Sequence, residues 1–227
     1  MDVKIRLNKF LAESLGVSRR EADDLIAAGQ IKINQRTAIL GDRVDKHDKV
    51  CYNGSIIPFD VGYTYLALNK AAGYVCSRKR QGECPTLYEL LPEKYQQLKT
   101  VGRLDKDSSG IILLTNDGDF AFQMTHPKFA KHKVYEVELD HALEPLHQQM
   151  IADFGVELTD GRSQLGLEKI SDDRKTWRVN MQEGRNRQIR RTFGALGYTV
   201  IKLHRTQFGP YQLDGLNEGD FTEVQKH

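Results

Sequence analysis

A polar loop that leads into a buried strand is the feature that most constrains the fold of this 227-residue chain. Residues 101–115 read VGRLDKDSSGIILLT, and the last five form a short apolar run bounded by turn-forming residues. Such a run predicts a core strand. Asp105 lies in the loop before it, two residues after Arg103. Loops held by a rigid strand often carry catalytic groups, although an acidic turn before a core strand would look the same.

The composition predicts a globular protein, because 39% of the residues are hydrophobic and 28% are charged. The net charge is only +2, but three stretches contain basic residues and no acidic ones: residues 61–82, 120–134 and 184–213. If these stretches converge on one face, that face would attract a polyanion. Taken separately, each could equally be a solvated surface.

The cysteines and histidines predict no metal site. Cys51, Cys76 and Cys84 are odd in number and lack the C-x-x-C spacing, and the seven histidines lack ligand spacing. Free cysteines are typical of a reducing cytosol. The first ten residues carry charges where a signal peptide is apolar, and no run of eighteen apolar residues occurs. We therefore expect a cytoplasmic protein that makes no use of a membrane.

Residues 1–60 are predicted to form a separate small domain. Ser18 and Glu21 form a capping-box pattern at the start of a second helix that Gly29 ends, after a first helix that Gly16 ends. Short strands are expected at residues 30–34 and 49–52, before an Asn-Gly turn. Basic residues of the helix pair that could contact phosphates are Arg6, Lys9, Arg19 and Arg20.

The segments RLNKFLA and SRREADDLIAAGQIKINQ resemble the alpha-L RNA-binding domain, first known from a small-subunit ribosomal protein. In that domain the two helices and the turn into the next strand contact RNA. A generic helix hairpin is the alternative reading of the same pattern.

Residues 61–227 are predicted to form a larger domain after a linker at about 57–63. Strands are expected at 65–69, 111–115, 134–139, 177–181 and 200–203, and helices at 120–124, 143–154 and 187–196. This mixed order predicts an α+β fold with a mostly antiparallel sheet.

Three longer segments together resemble the ribosomal RNA pseudouridine synthases of the RsuA/RluB group: GRLDKDSSGIILLTNDGD, HKVYEVEL and EGRNRQIRRTFGALGYTVIKLHRTQFGP. LNKAAGYVCS is similar to the first core motif of that family, except that Ala71 stands where proline is usual. The resemblance implies that the protein isomerises a specific uridine in ribosomal RNA, after flipping the base. Nothing is oxidised and no group is gained in that reaction, so no cofactor or metal is expected.

The resemblance also implies roles for individual residues. Asp105 matches the catalytic aspartate, Tyr135 matches the active-site tyrosine, and Arg190 matches the basic residue that pairs with the aspartate. Arg103 is expected near the flipped nucleotide or in the gap it leaves. Other basic residues around the third motif are candidates for phosphate contacts or for plain solvation: Arg185, Arg187 and Arg191.

Two alternatives of other classes remain open on the sequence. A non-catalytic RNA-binding assembly factor would not need the Asp105, Tyr135 and Arg190 set, and a glycosidic hydrolase would need a second carboxylate. Asp105 could attack the sugar, attack the pyrimidine or remove a sugar proton. The sequence fixes neither the uridine nor the ribosomal subunit. We expect a monomer that acts on free ribosomal RNA or on a pre-ribosomal particle.

Overall fold

The computed structural model describes residues 4–59 and 62–227, which divide into two compact units. The first unit contains the described residues up to Thr64, with residues 93–99 and 115–119, and the second contains the rest. Residues 60 and 61 of the predicted linker lie outside the described residues, as do residues 1–3 of the predicted first domain. A domain boundary near residue 60 therefore stays a prediction.

Besides one short 3₁₀ helix, the described part of the first unit contains two α-helices and six short strands. In chain order they are β1 (Ile5–Arg6), α1 (Leu7–Ser14), α2 (Arg19–Ala27), β2 (Ile31–Ile33), β3 (Arg36–Thr37), β4 (Arg43–Val44), β5 (Val50–Tyr52) and β6 (Ser55–Ile57). Strands β3-β2-β5-β6 form one antiparallel sheet, and β1 pairs with β4. The apolar sides of both helices pack with this sheet in one core.

Local sequence signals account for these helices. The predicted capping box is confirmed: Glu21 N–H donates to Ser18 Oγ at 3.1 Å, and Ser18 N–H donates to the Glu21 carboxylate at 2.7 Å. Gly16 and Gly29 follow the two helices with φ of +70° and +71°, which glycine adopts without steric cost. Both helices therefore end where the sequence predicts.

The second unit is built on one large sheet with short helices around it. Its elements are β7 (Tyr65–Lys70), β8 (Lys99–Val101), β9 (Ser109–Thr115), α3 (Gly118–Thr125), β10 (Lys133–Leu139), α4 (Pro145–Gln149), β11 (Val156–Leu158), β12 (Gly161–Ser163), β13 (Gly166–Lys169), β14 (Thr176–Met181), α5 (Gln188–Gly194), β15 (Val200–Phe208), β16 (Tyr211–Gln212) and β17 (Phe221–Glu223). Short 3₁₀ helices cover Leu87–Leu90, Glu93–Tyr95 and Pro127–Phe129, the second of these belonging to the first unit. Within the described ranges no helix has the length and apolar character that crossing a membrane requires.

The strand order of the large sheet is β13-β14-β10-β15-β9-β7-β17, with β16 beside β15 and β8 beside β9. The β10–β14, β10–β15, β13–β14 and β7–β17 pairs are antiparallel, whereas β9 and β15 run parallel. The predicted α+β class with a mostly antiparallel sheet is confirmed. All seven residues of β9 are buried, so the core strand expected at 111–115 is present and begins two residues earlier.

One predicted helix differs in the structure. The helix expected across residues 143–154 is a single α turn, α4, followed by a π-helical segment, Met150–Phe154. Leu143 and Ile151 are buried, but Leu146 is 62% exposed and Phe154 is 56% exposed. The wider π turn shifts the later residues around the axis, so the apolar spacing does not form one continuous buried face.

Candidate active site

The loop before β9 places Asp105 at a cavity of about 480 Å³ inside the second unit. Gly102 turns the chain with φ of +72°, and Ser108 N–H closes the loop on the Asp105 carbonyl at 3.1 Å. The cavity is lined by this loop, by β10, by the segment before α5 and by β15. The Asp105 side chain is 32% exposed there, so it is neither sealed in the core nor free in bulk solvent.

The segment of the first core motif holds the Asp105 loop from behind. The Cys76 thiol accepts from Leu104 N–H at 3.3 Å and donates to the Leu104 carbonyl at 3.2 Å. Gly73 N–H donates to the Lys106 carbonyl at 2.8 Å. Lys70 is fully buried, and its ammonium donates to the carbonyl of Ala71 at 2.8 Å. Burial lowers the pKa of Lys70 and raises the pKa of the Cys76 thiol, because each charged form loses hydration.

The arginine that pairs with Asp105 in the structure is Arg187, not the predicted Arg190. Arg187 Nη1 lies 3.6 Å from Asp105 Oδ2, a separation beyond a hydrogen bond. Arg190 instead donates to the Val200 carbonyl at 2.7 Å and to the Asp107 carbonyl at 2.9 Å. This corrects the predicted pairing.

The physical reason for this difference lies at the start of α5. Arg187 is the N-cap residue in the left-handed region, with φ of +47°, and it precedes the first helical turn. Arg190 lies inside the helix, where two backbone carbonyls take up its donors. Burial and the nearby charge of Arg187 lower the pKa of Arg190. Arg190 therefore contacts the Asp105 loop through the Asp107 backbone carbonyl.

Tyr135 lines the cavity from β10, as predicted, and is buried except for a small part of its surface. Its hydroxyl has no hydrogen-bond partner in the described part of the chain. The Arg205 guanidinium lies 5.9 Å from the Tyr135 ring centroid and 4.7 Å from that of Phe208. Such a ring can form one wall of a pocket for a flat base.

Arg205 and Lys133 are functional candidates that the sequence analysis did not single out. Arg205 is buried, donates from Nε to the Ile111 carbonyl at 2.8 Å, and leaves Nη2 unpaired within residues 4–59 and 62–227. Lys133 donates to the carbonyls of Gln182 and Glu183, both at 3.2 Å. Burial, reinforced by Arg205, lowers the pKa of Lys133 to about 8. The one sequence signal for a functional role was their position inside the family-like segments HKVYEVEL and HRTQFGP.

The cavity has a strong excess of cationic groups. Its lining includes two carboxylates, Asp105 and Glu183, against six basic side chains: Arg103, Lys131, Lys133, Arg185, Arg187 and Arg205. Glu183 is already bound by Arg185 and by the Gln188 amide. Asp105 is therefore the carboxylate of the lining that remains available to a substrate. The basic lining suits a phosphate-bearing ligand.

The residues predicted to contact RNA near this site fall into two groups. Arg103 lines the cavity, is exposed, and forms no hydrogen bond or ion pair with other described residues. Arg185 and Arg191 both bind the Asp160 carboxylate, and Arg185 also donates to backbone carbonyls of residues 160–162. These two arginines join the β11–β12 turn to α5, and their predicted contact with RNA stays a prediction. The hydrogen bonds that Arg191 donates, together with the charges of both arginines, lower the pKa of Asp160.

In the first unit, Arg6, Arg19 and Arg20 are exposed, as a phosphate-contacting surface requires. Lys9 forms an ion pair with Asp119, another residue of the same unit, at 2.5 Å. Its charge is therefore partly neutralised. Among the described residues, no three histidine, cysteine or carboxylate side chains are grouped so that they could hold a metal ion.

The matches to known families define the class of protein. Residues 64–195 match the model of the RNA pseudouridylate synthase family, and residues 5–50 match the S4 domain. The chain therefore belongs to the RNA pseudouridylate synthase family and carries an N-terminal S4 domain. The resemblance seen in the sequence motifs is confirmed.

Individual relatives are similar over nearly the whole chain. The ribosomal small subunit pseudouridine synthase A of Pasteurella multocida is 35% identical over 97% of this chain and 96% of its own. The ribosomal large subunit pseudouridine synthase B of Bacillus subtilis is 33% identical over 98% and 93%. A pseudouridylate synthase crystal structure superposes with a TM-score of 0.68 at 30% identity, covering 97% of this chain and 96% of that one.

Proposed function

We propose that this protein converts a specific uridine of ribosomal RNA to pseudouridine, with Asp105 as the catalytic carboxylate. Membership of the family gives the reaction class, and the names of both relatives give ribosomal RNA as the substrate class. The observation that carries the proposal is the Asp105 side chain, which is partly exposed in a basic cavity where Glu183 is already bound by other residues.

The substrate uridine enters this cavity as an extruded nucleotide. A base stacked within RNA cannot expose its reacting atoms, and extrusion costs a few kcal/mol. Stacking on the Tyr135 ring and contacts between phosphates and Arg103 or Arg187 offset that cost. Arg205 adds an unpaired N–H donor beside the ring. The cavity volume lies in the range of sites for small ligands.

The chemistry needs an ionised carboxylate and a proton acceptor. The N1–C1′ bond of uridine breaks, a C5–C1′ bond forms, C5 loses its proton and N1 gains one, so the product is an isomer. Attack by Asp105 on the sugar, attack on the pyrimidine and removal of a sugar proton all require its charged form. Arg187 places a cation 3.6 Å from Asp105 Oδ2. We infer that the Tyr135 hydroxyl moves the C5 proton, which its place in the cavity lining supports.

The remaining parts of the proposal concern the setting of the reaction. The S4 domain holds RNA through Arg6, Arg19 and Arg20, and the enzyme acts as a monomer on free ribosomal RNA or a pre-ribosomal particle. The three free cysteines support a cytoplasmic location. Light scattering of the purified protein, alone and with RNA, tests the monomer.

The test of the catalytic assignment compares Asp105→Asn with Asp107→Asn. Asp107 is an exposed carboxylate two residues away that does not line the cavity, so it is a matched control. With ribosomal RNA tritiated at the uridine C5, the first variant should bind RNA normally and release tritium at least about 100-fold more slowly. The second should remain active.

The outcomes separate the readings. Near-normal tritium release by Asp105→Asn would overturn the assignment. Release of free uracil by the wild-type protein would indicate a hydrolase, and RNA binding without any reaction would indicate an assembly factor.

A further inference from the structure

We propose that Phe122, His126 and Phe129 form a stacking platform for an unpaired base of the substrate RNA next to the target uridine. This inference rests on the proposed RNA substrate. The ring cluster belongs to the end of α3 and the following 3₁₀ helix, and it is separate from the Asp105 and Tyr135 wall of the cavity.

The three rings form one exposed cluster. Phe122 is 47% exposed and Phe129 is 39% exposed. The Phe122 ring centroid lies 4.7 Å from the His126 ring and 6.0 Å from the Phe129 ring. Phenylalanine side chains this exposed leave apolar ring surface in water, so covering them with a flat base is favourable.

The charge around the rings favours RNA over an apolar protein partner. The Lys128 ammonium lies 5.2 Å from the Phe122 centroid and 4.7 Å from the Phe129 centroid. Residues 120–134 contain three lysines and no acidic residue. The ammonium lies over these rings, so a base that stacks there takes its place and keeps the cation close to its own phosphate. Aromatic rings combined with a basic groove are how proteins hold single-stranded nucleic acid.

The cluster continues directly into the cavity. Thr125, His126, Pro127 and Lys131 line the cavity. Phe122 precedes these residues in the chain, and Phe129 lies between Pro127 and Lys131. A nucleotide adjoining the extruded uridine would therefore meet these rings.

The conformation of this segment is held in place. Lys128 N–H donates to His126 Nδ1 at 3.2 Å, which orients the imidazole. Ala130 ends the 3₁₀ helix in the left-handed region with φ of +43°, where an alanine is uncommon. Such a residue is retained when surrounding structure fixes it. The platform is thus preformed rather than assembled by the ligand.

The experiment measures affinity for two probes by fluorescence anisotropy. One is a labelled single-stranded oligouridylate of about 12 nucleotides, within the length range that such grooves bind. The other is an abasic chain of the same length. The Phe122→Leu/Phe129→Leu double variant should bind oligouridylate about fivefold or more weakly, since stacking is lost while apolar bulk is kept. Its affinity for the abasic chain should not change.

Two controls accompany the double variant. Phe154→Leu makes the same change at a phenylalanine that is 56% exposed and does not line the cavity, and it should bind both probes like the wild type. Phe122→Tyr/Phe129→Tyr keeps the rings and should retain the preference for bases.

Other outcomes would overturn the platform. Equal binding of oligouridylate by the wild-type and leucine proteins would assign the rings to a protein contact or to folding. An equal loss for both probes would show that bases are not what the rings recognise. If the wild-type protein releases no tritium from ribosomal RNA, the proposed function fails. The titrations with the two probes do not depend on that reaction, so they test the platform separately.

Discussion

Replacing Arg190 by methionine removes two hydrogen bonds from its guanidinium to the Val200 and Asp107 carbonyls, at 2.7 and 2.9 Å. Replacing Arg187 by methionine removes only the 3.6 Å contact with Asp105. Both arginines lie at the start of α5, three residues apart, so the two variants form a matched pair. We expect Arg190→Met to lose stability and Arg187→Met to lose activity while folding normally.

The magnitudes follow from the contacts. A hydrogen bond from a charged donor contributes about 1.5–3 kcal/mol, so two give roughly 3–6 kcal/mol. The gain is offset because Arg190 is partly desolvated, as its lowered pKa shows, and its Nε is buried without a partner among the described residues. A net loss of about 2–3 kcal/mol is expected for Arg190→Met. The exposed Arg187 pair contributes about 0–1 kcal/mol.

The single tryptophan makes the assay direct. Trp177 is fully buried in β14 of the second unit, so its fluorescence during urea denaturation reports the unit that contains the cavity. Tritium release from ribosomal RNA reports activity on the same samples. Arg190→Lys should be intermediate in stability, because one ammonium cannot reproduce the two-pronged contact. Equal stability losses for the two methionine variants, or a larger loss for Arg187→Met, would refute these separate roles.

Two further predictions concern the sheet and the charge of the cavity. In Gly110→Ala the new Cβ would lie 2.2 Å from the Arg205 carbonyl oxygen, at a φ of +108°, so we expect the free energy of unfolding to fall by more than about 3 kcal/mol or the protein not to fold. Gly194 lies in a helix with open space around it, so Gly194→Ala should gain up to about 1 kcal/mol in urea denaturation. Similar stability changes in the two variants would contradict the clash at Gly110. Because the folded pKa of Lys133 is about 8 against 10.5, the unfolded chain keeps a proton that the folded chain releases as pH rises between these values. The free energy of unfolding should therefore rise by about 1–2 kcal/mol more in the wild type than in Lys133→Met between roughly pH 8 and 10. An equal rise in the two proteins would show that folding does not lower the pKa of Lys133.

Features set by neighbouring residues were predictable from the sequence. The Ser18–Glu21 capping box and the glycine ends of both N-terminal helices depend on contacts within a few positions, and the structure has them. Strand β9 was recognisable because its apolar run is continuous. By contrast, the π turn after α4 depends on backbone geometry that residue spacing does not encode, so Phe154 was wrongly expected in a buried face. Leu146, which precedes that turn, is exposed as well.

The residues of the candidate site likewise include some that could be predicted from the sequence and some that could not. Asp105 and Tyr135 could be found because each lies in a motif that resembles a known family, and both line the cavity. The partners of the arginines could not be predicted, since Arg185 and Arg191 meet Asp160 from 25 and 31 positions away. Arg205 carried no local sign of its burial, which results from strand pairing.

The parallel pairing of β9 with β15 has a consequence for when the protein becomes active. Arg205 donates to the Ile111 carbonyl, 94 positions earlier in the chain. Contacts so distant in sequence form late in folding, because the intervening loop must be closed first. During translation Asp105 is synthesised well before the β15 residues that also line the cavity. A nascent chain that has passed Asp105 therefore has no working cavity, and the enzyme matures only when its C-terminal strands are released.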